Sequence, residues 1–143
     1  MGTKSKWLKG KLTFYNNALV EENVGSYTST VTTLPPYGLR VLNPASNTSY
    51  KLSGGPAIGQ ELEIVCNSTF VTSVRVSTAI GGVTIDRPTA STDAHGVIVT
   101  AAGTSGGTYP GTATLRGIST SQWMLVKGFS VGFGGCTLST SLT

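Results

Sequence analysis

Few side chains in this chain are able to do chemistry. His95 is the single histidine, with Asp93 two residues before it and 16 serines elsewhere, so a nucleophile, base and acid triad can be written on paper. The pair sits beside Gly96 in a polar stretch and reads as exposed loop residues. Glu61 and Glu63 fall on the same side of one strand, about 6 to 7 Å apart by the strand rise, within range for paired carboxylates acting on a glycosidic bond. Their alternation with Leu62 and Ile64 is explained more simply by a solvated strand face. Cys66 and Cys136 lie far apart, with no CxxC pair and no neighbouring histidine, which argues against zinc and thioredoxin-type sites and for two buried or half-buried thiols. Gly54-Gly55, Gly81-Gly82, Gly106-Gly107 and Gly132 to Gly135 have no Lys-Ser or Lys-Thr ending and open no helix, so they read as turns and bulges rather than phosphate cradles. No catalytic residue, cofactor, metal or small-molecule substrate is expected, and the chain does not read as an enzyme.

The elements that carry these residues follow from composition. Only 11% of the 143 residues are charged, against roughly 25% in an average globular protein. Ser and Thr number 38 and Gly 19, the profile of an all-β protein with many turns, and the length suits one domain. The net charge of +4 is local: Lys4, Lys6, Lys9 and Lys11 open the chain, and from Leu12 onward six basic residues face six acidic ones. A body of zero net charge offers no basic face, and lysines beside Trp7, Phe14 and Tyr15 on one arm offer no stacking platform, so no nucleic-acid partner is expected. No apolar run is long enough for a membrane span or a signal peptide, so no membrane partner is expected and assembly in a cytoplasm is. Trp123, amid Met124, Leu125 and Val126, reads as a core or interface aromatic, with carbohydrate stacking as its other possible use.

Residues 1–27 read as an N-terminal arm that orders on a partner, with room for a short helix near 16–22, and residues 28–143 as a single β domain. In the body, breakers punctuate about nine or ten short strands: 28–34 closed by Pro35-Pro36, 38–42 closed by Asn43-Pro44, 48–52, a hairpin of 62–66 and 71–76, then 83–85, 97–101, 112–115, 122–127 and a Gly-rich 129–138. The stretch between Ile85 and Val97 reads as a surface loop. No internal repeat of fixed period is evident. The expected architecture is a compact sandwich or barrel, jelly-roll or tulip-like.

Several segments stand in a set order: Lys6-Trp7-Leu8, then Thr28 to Leu34, then Gly38-Leu39-Arg40-Val41-Leu42-Asn43-Pro44 running to Leu52, then Gly55-Pro56-Ala57-Ile58-Gly59-Gln60-Glu61-Leu62-Glu63-Ile64, and Ala113 to Trp123 with its Leu115, Ser119 and Trp123. In this order they resemble the small decoration, or cement, proteins of tailed bacteriophage heads, especially those of phages infecting actinobacteria. The resemblance implies a non-enzymatic virion protein on the outer surface of the capsid, commonly as trimers at local three-fold positions, tying neighbouring major capsid subunits together and stabilising the mature head. The isolated arm suits such docking: Trp7, Leu8, Leu12, Phe14 and Tyr15 as apolar contacts, and Lys4, Lys6, Lys9 and Lys11 for acidic patches on the shell. Val131, Phe133 and Leu138 of the Gly-rich last strand are the expected trimer contacts. The alternative is a head-fibre or tail-fibre domain that binds a host receptor or glycan through Trp123, Tyr109 and the polar loops.

Overall fold

The structure, a computed structural model, describes residues 24–67, 73–78, 81–88, 90–101, 111–128 and 136–141. Among them there is no helix, and twelve strands form two sheets. The strands are β1 (Val24–Tyr27), β2 (Thr33–Leu34), β3 (Gly38–Leu42), β4 (Ser49–Leu52), β5 (Glu61–Cys66), β6 (Ser73–Ser77), β7 (Thr84–Arg87), β8 (Ala90–Ala94), β9 (Gly96–Thr100), β10 (Gly111–Ser119), β11 (Gln122–Lys127) and β12 (Cys136–Ser139). One sheet has the order β1-β3-β5-β10-β11-β7-β8 and the other β12-β9-β6-β4-β2. Neither sheet closes on itself, so the barrel alternative does not form among the described residues.

The first six strands alternate between the sheets. β1, β3 and β5 pair in parallel in the larger sheet, and β2, β4 and β6 in parallel in the smaller one. Strands β1 to β6 are therefore wound as successive coils, each contributing one strand to either sheet. This differs from the antiparallel hairpins of a jelly roll. It also explains why no fixed period is visible: Val24 pairs with Leu39, 15 residues on, whereas Gly38 pairs with Leu62, 24 residues on. Proline and glycine at the corners allow coils of unequal length while the register of apolar positions is kept.

The second half is mostly antiparallel. β10 pairs with β5 and β11, β9 with β6 and β12, and β7 with β8, whereas β7 runs parallel to β11. The alternating strands point one set of side chains into a shared core: Leu42, Leu62, Ile64, Ile85, Leu115, Trp123 and Leu125 from the larger sheet, and Tyr50, Leu52, Val74, Val76, Val97 and Val99 from the smaller. Each fully buried aliphatic side chain contributes about 1.5–3 kcal/mol, so this interior, rather than any turn, holds the coils in register.

Several expectations need correction. The hairpin of 62–66 with 71–76 does not exist: β5 lies in one sheet and β6 in the other. The expected surface loop contains β8, which pairs with β7. Of the strand placed at 28–34 only Thr33–Leu34 is extended in a sheet, because the chain turns at 28–31 through the Val31 N–H to the Thr28 carbonyl, 3.2 Å. The last four residues assigned to the arm form β1, held against β3. The described residues alone hold twelve strands, among them β1 and β8, which fall outside the nine or ten expected.

Candidate functional site

The residues selected from sequence as capsid contacts, Lys4, Lys6, Trp7, Leu8, Lys9, Lys11, Leu12, Phe14 and Tyr15, lie outside the described residues, as do Val131, Phe133 and Tyr109. Leu138 is described, and its half-buried side chain packs against the chain's own core. Trp123 is 0% exposed at the centre of the interior, so it is a core aromatic and cannot stack on a sugar.

His95 is half-buried rather than exposed, and its Nδ1 lies 3.1 Å from the Val83 carbonyl oxygen. Its backbone links the strand ends around it, donating to the Ser139 carbonyl and accepting from the Thr78 N–H. Asp93 is exposed at a positive φ of 47°, and its N–H donates to Asp86 Oδ1 at 3.3 Å. The pair therefore shapes a turn between β8 and β9. Two further runs, 103–107 and 128–132, have the Gly-x-Ser-x-Gly spacing of a nucleophile elbow. Their serines, Ser105 and Ser130, lie outside the described residues. Cys66 and Cys136 are both buried thiols, as expected. Burial pushes the Cys136 thiol up to about 11, with the nearby Arg87 charge opposing the shift. Among the described residues no three His, Cys, Asp or Glu side chains gather as a metal site, and no helix is long and apolar enough to cross a membrane.

What the fold does gather is a corner where β3 and β5 begin and β10 ends. The chain passes Pro56, turns at Ile58 and Gly59, and enters β5. Gly59 sits at a φ of 80°, which glycine adopts without strain. The turn is pinned on three sides: the Gly59 N–H donates to the Gly117 carbonyl at 2.8 Å, the Gly117 N–H to the Gln60 carbonyl at 2.8 Å, and the Ala57 N–H to Gln60 Oε1 at 3.0 Å. Gln60 Nε2 in turn donates to the Pro36 carbonyl. This network holds Ile58 outward at 76% exposure, with Ile118 (38%) and Tyr37 (45%) on the neighbouring segments. The Tyr37 ring is braced by the Arg40 guanidinium, 5.1 Å from its centroid.

Beside this apolar corner the outer face of the larger sheet is charged. Glu61 accepts from Arg116 Nε at 3.1 Å and forms an ion pair with its Nη2. Cross-strand register sets Leu39, Glu63, Thr114 and Lys127 in one row. Together with Gly38 and Glu61 they line a shallow depression of about 280 Å³. Glu61 and Glu63 are exposed on the wet side of β5, as the alternation predicts. One carboxylate is taken up by Arg116, and Lys127 lies across Thr114 from the other. Rigid exposed apolar groups rimmed by paired charges are the anatomy of a protein contact surface. Sequence reading missed it, because an apolar residue two positions before a strand looks like the start of that strand. The usable signal was Ile58 between Pro56 and Gly59, inside a turn where nothing apolar is needed.

Comparison of the chain with protein-family models, with curated proteins and with solved structures returns no match.

Proposed function

We propose that the protein is a structural, non-enzymatic virion component that binds the outer surface of a tailed-phage head, as trimers at local three-fold positions, and stabilises the mature shell by linking neighbouring major capsid subunits. The phage head, the trimer and the three-fold positions are what the sequence resemblance implies, and the structural observation that supports a docking role is the pinned corner. Ile58 is held in solvent by the hydrogen bonds that tie its turn to β10 and to the Pro36 segment, an arrangement that suits an anchor that docks without ordering cost. Tyr37 and Ile118 widen it, and the Glu61–Arg116 pair with Glu63 and Lys127 supplies a polar rim. The Ser- and Thr-rich, charge-poor sequence and the four early lysines favour the same role, with the lysine-rich arm meeting acidic patches on the shell and the corner seating on a capsid subunit. A two-sheet sandwich of this kind is a compact block for such contacts. The glycan-binding alternative loses its main stacking residue with Trp123 in the core.

Cryo-electron microscopy of heads incubated with the protein tests the reading. Added density at local three-folds, with the corner of Tyr37, Ile58 and Ile118 toward the shell, is the expected image. Unchanged heads at saturating protein would overturn it.

A further inference from the structure

The strand order of the larger sheet puts β10 in the middle of seven, with three strands on either side. On its outer face one row runs from Leu39 through Glu63 and Thr114 to Lys127. Glu63 and Lys127 are exposed and stand one strand to either side of Thr114, so about 10 Å separates their backbones by the usual strand spacing. Between them lies the open depression, with Thr114 on its floor, 8% exposed. Among the described residues neither charge has an ion-pair partner, whereas Glu61, two residues back along β5, is held by Arg116.

A surface that satisfies this row must carry a cation and a carboxylate at the same separation, in reverse order. The chain itself carries that pair. A two-fold axis lying in the interface along β10 sets Glu63 over Lys127 of the copy and Lys127 over its Glu63, with Thr114 facing Thr114, the isologous relation in which residue i meets j and j meets i. Because β10 is the central strand, the same axis lays the whole sheet on its copy: β5 over β11, β3 over β7 and β1 over β8. An axis across the strands sets Glu63 on Glu63 instead, and like charges reject it.

The match extends beyond the charges. An axis along the strands keeps the strands of the two sheets aligned, the commoner way in which sheets pack face to face. Leu39, Val41, Val65 and Met124 alternate with the charges on this face, half-buried, and supply the apolar part of the contact. Arg116 falls on the axis opposite its copy, and each is neutralised by its own Glu61. Seven strands about 4.8 Å apart and about 17 Å long cover about 550 Å² a side, or about 1,100 Å² in all, the lower end for a specific contact and the size of a reversible one.

We propose that the outer face of the larger sheet binds a second copy of this chain about a two-fold axis along β10, with Lys127 of each copy entering the depression of the other to meet Glu63. The contact is additional to the capsid reading and stands without it, because its test uses the isolated protein. Glu63 and Lys127 then serve the copy, and the corner of Tyr37, Ile58 and Ile118, at the end of the sheet, keeps the Glu61–Arg116 pair as its rim. On a head decorated at three-folds, a two-fold contact joins copies of neighbouring sites rather than the three within one site.

Sedimentation equilibrium of the full chain decides it. The mass is expected to rise with concentration from 14.7 kDa to twice that, less readily at high salt. Glu63→Lys and Lys127→Glu each put like charges opposite one another at both ends of the contact, and each is expected to weaken dimerisation about tenfold or more. An equal mixture of the two variants is expected to restore the dimer, since each then meets the opposite charge. Both sites are exposed, so the variants should keep the thermal midpoint of the parent, which checks their folding. A parent that stays monomeric up to about 1 mM would overturn the proposal. So would association that the single reversals leave unchanged, a trimer held through another face included, and a mixture that fails to restore what the single variants lose.

Discussion

Gly117 lies directly under the Ala57 carbonyl, so closely that a Cβ on Gly117 would overlap that oxygen and meet the Pro56 ring at 2.7 Å. The same glycine exchanges backbone hydrogen bonds with Gly59 and Gln60. The end of β10 and the turn that carries Ile58 are thus one unit, and the missing side chain is what lets them close.

Gly117→Ala accordingly forces backbone apart rather than moving a flexible side chain. Overpacking of this kind costs about 1–3 kcal/mol, read as a lower urea midpoint with an unchanged m-value. The turn of Ile58 is expected to loosen with it, seen as faster amide exchange at Gly59.

The buried thiol gives an alkaline pH dependence. Cys136 has its folded value pushed up to about 11 against a reference of 9.0, because burial disfavours the thiolate. Between these values the unfolded chain has released a proton that the folded chain keeps, so stability is fully present below about pH 9 and falls as pH rises toward 11. Tyr50, raised first by burial and then by the neighbouring Cys66, adds to the slope in the same direction. Urea midpoints at pH 8 and 10.5 measure the fall, and Cys136→Ala is expected to make it shallower. At pH 8 the native protein should also resist thiol alkylation.

The ion pair at the rim behaves differently. Glu61 and Arg116 are both about half exposed, so a double-mutant cycle on stability is expected to give a coupling of about 0–1 kcal/mol that fades in high salt. A coupling several times larger would mean that the pair holds the corner together rather than decorating it.

Trp123→Ala opens the middle of the core and is expected to cost about 3–5 kcal/mol. Trp123→Phe should cost clearly less, because the indole N–H meets no acceptor among the described residues and its removal leaves none of them unpaired. Differential scanning calorimetry of the two variants separates them.

These cases show how far the sequence could be read. The alternation of Leu62 and Ile64 with Glu61 and Glu63 fixed which face of β5 is wet, since strand period and burial are local properties. It could not say which strand lies beside β5: the six residues after Cys66 suit a hairpin as well as a crossing to the other sheet. The parallel coils stayed hidden because their lengths vary while only the inward columns repeat. β8 was invisible because Ala90-Ser91-Thr92-Asp93-Ala94 has almost no apolar pattern. The corner of Ile58, Ile118 and Tyr37 was missed because three separate segments build it, and no single stretch carries its signature.

The proposed capsid binding is tested most directly by co-sedimentation of the purified protein with undecorated mature tailed-phage heads, beside Ile58→Asp. An exposed side chain changes stability by no more than about 0.5 kcal/mol, so the variant should fold as the parent does. Loss of a central anchor costs about 2 kcal/mol or more, a fall in affinity above tenfold. Saturable binding by the parent, at three copies per local three-fold, with that loss in the variant, is the predicted result. No binding by the parent, or equal binding by both proteins, would contradict the account.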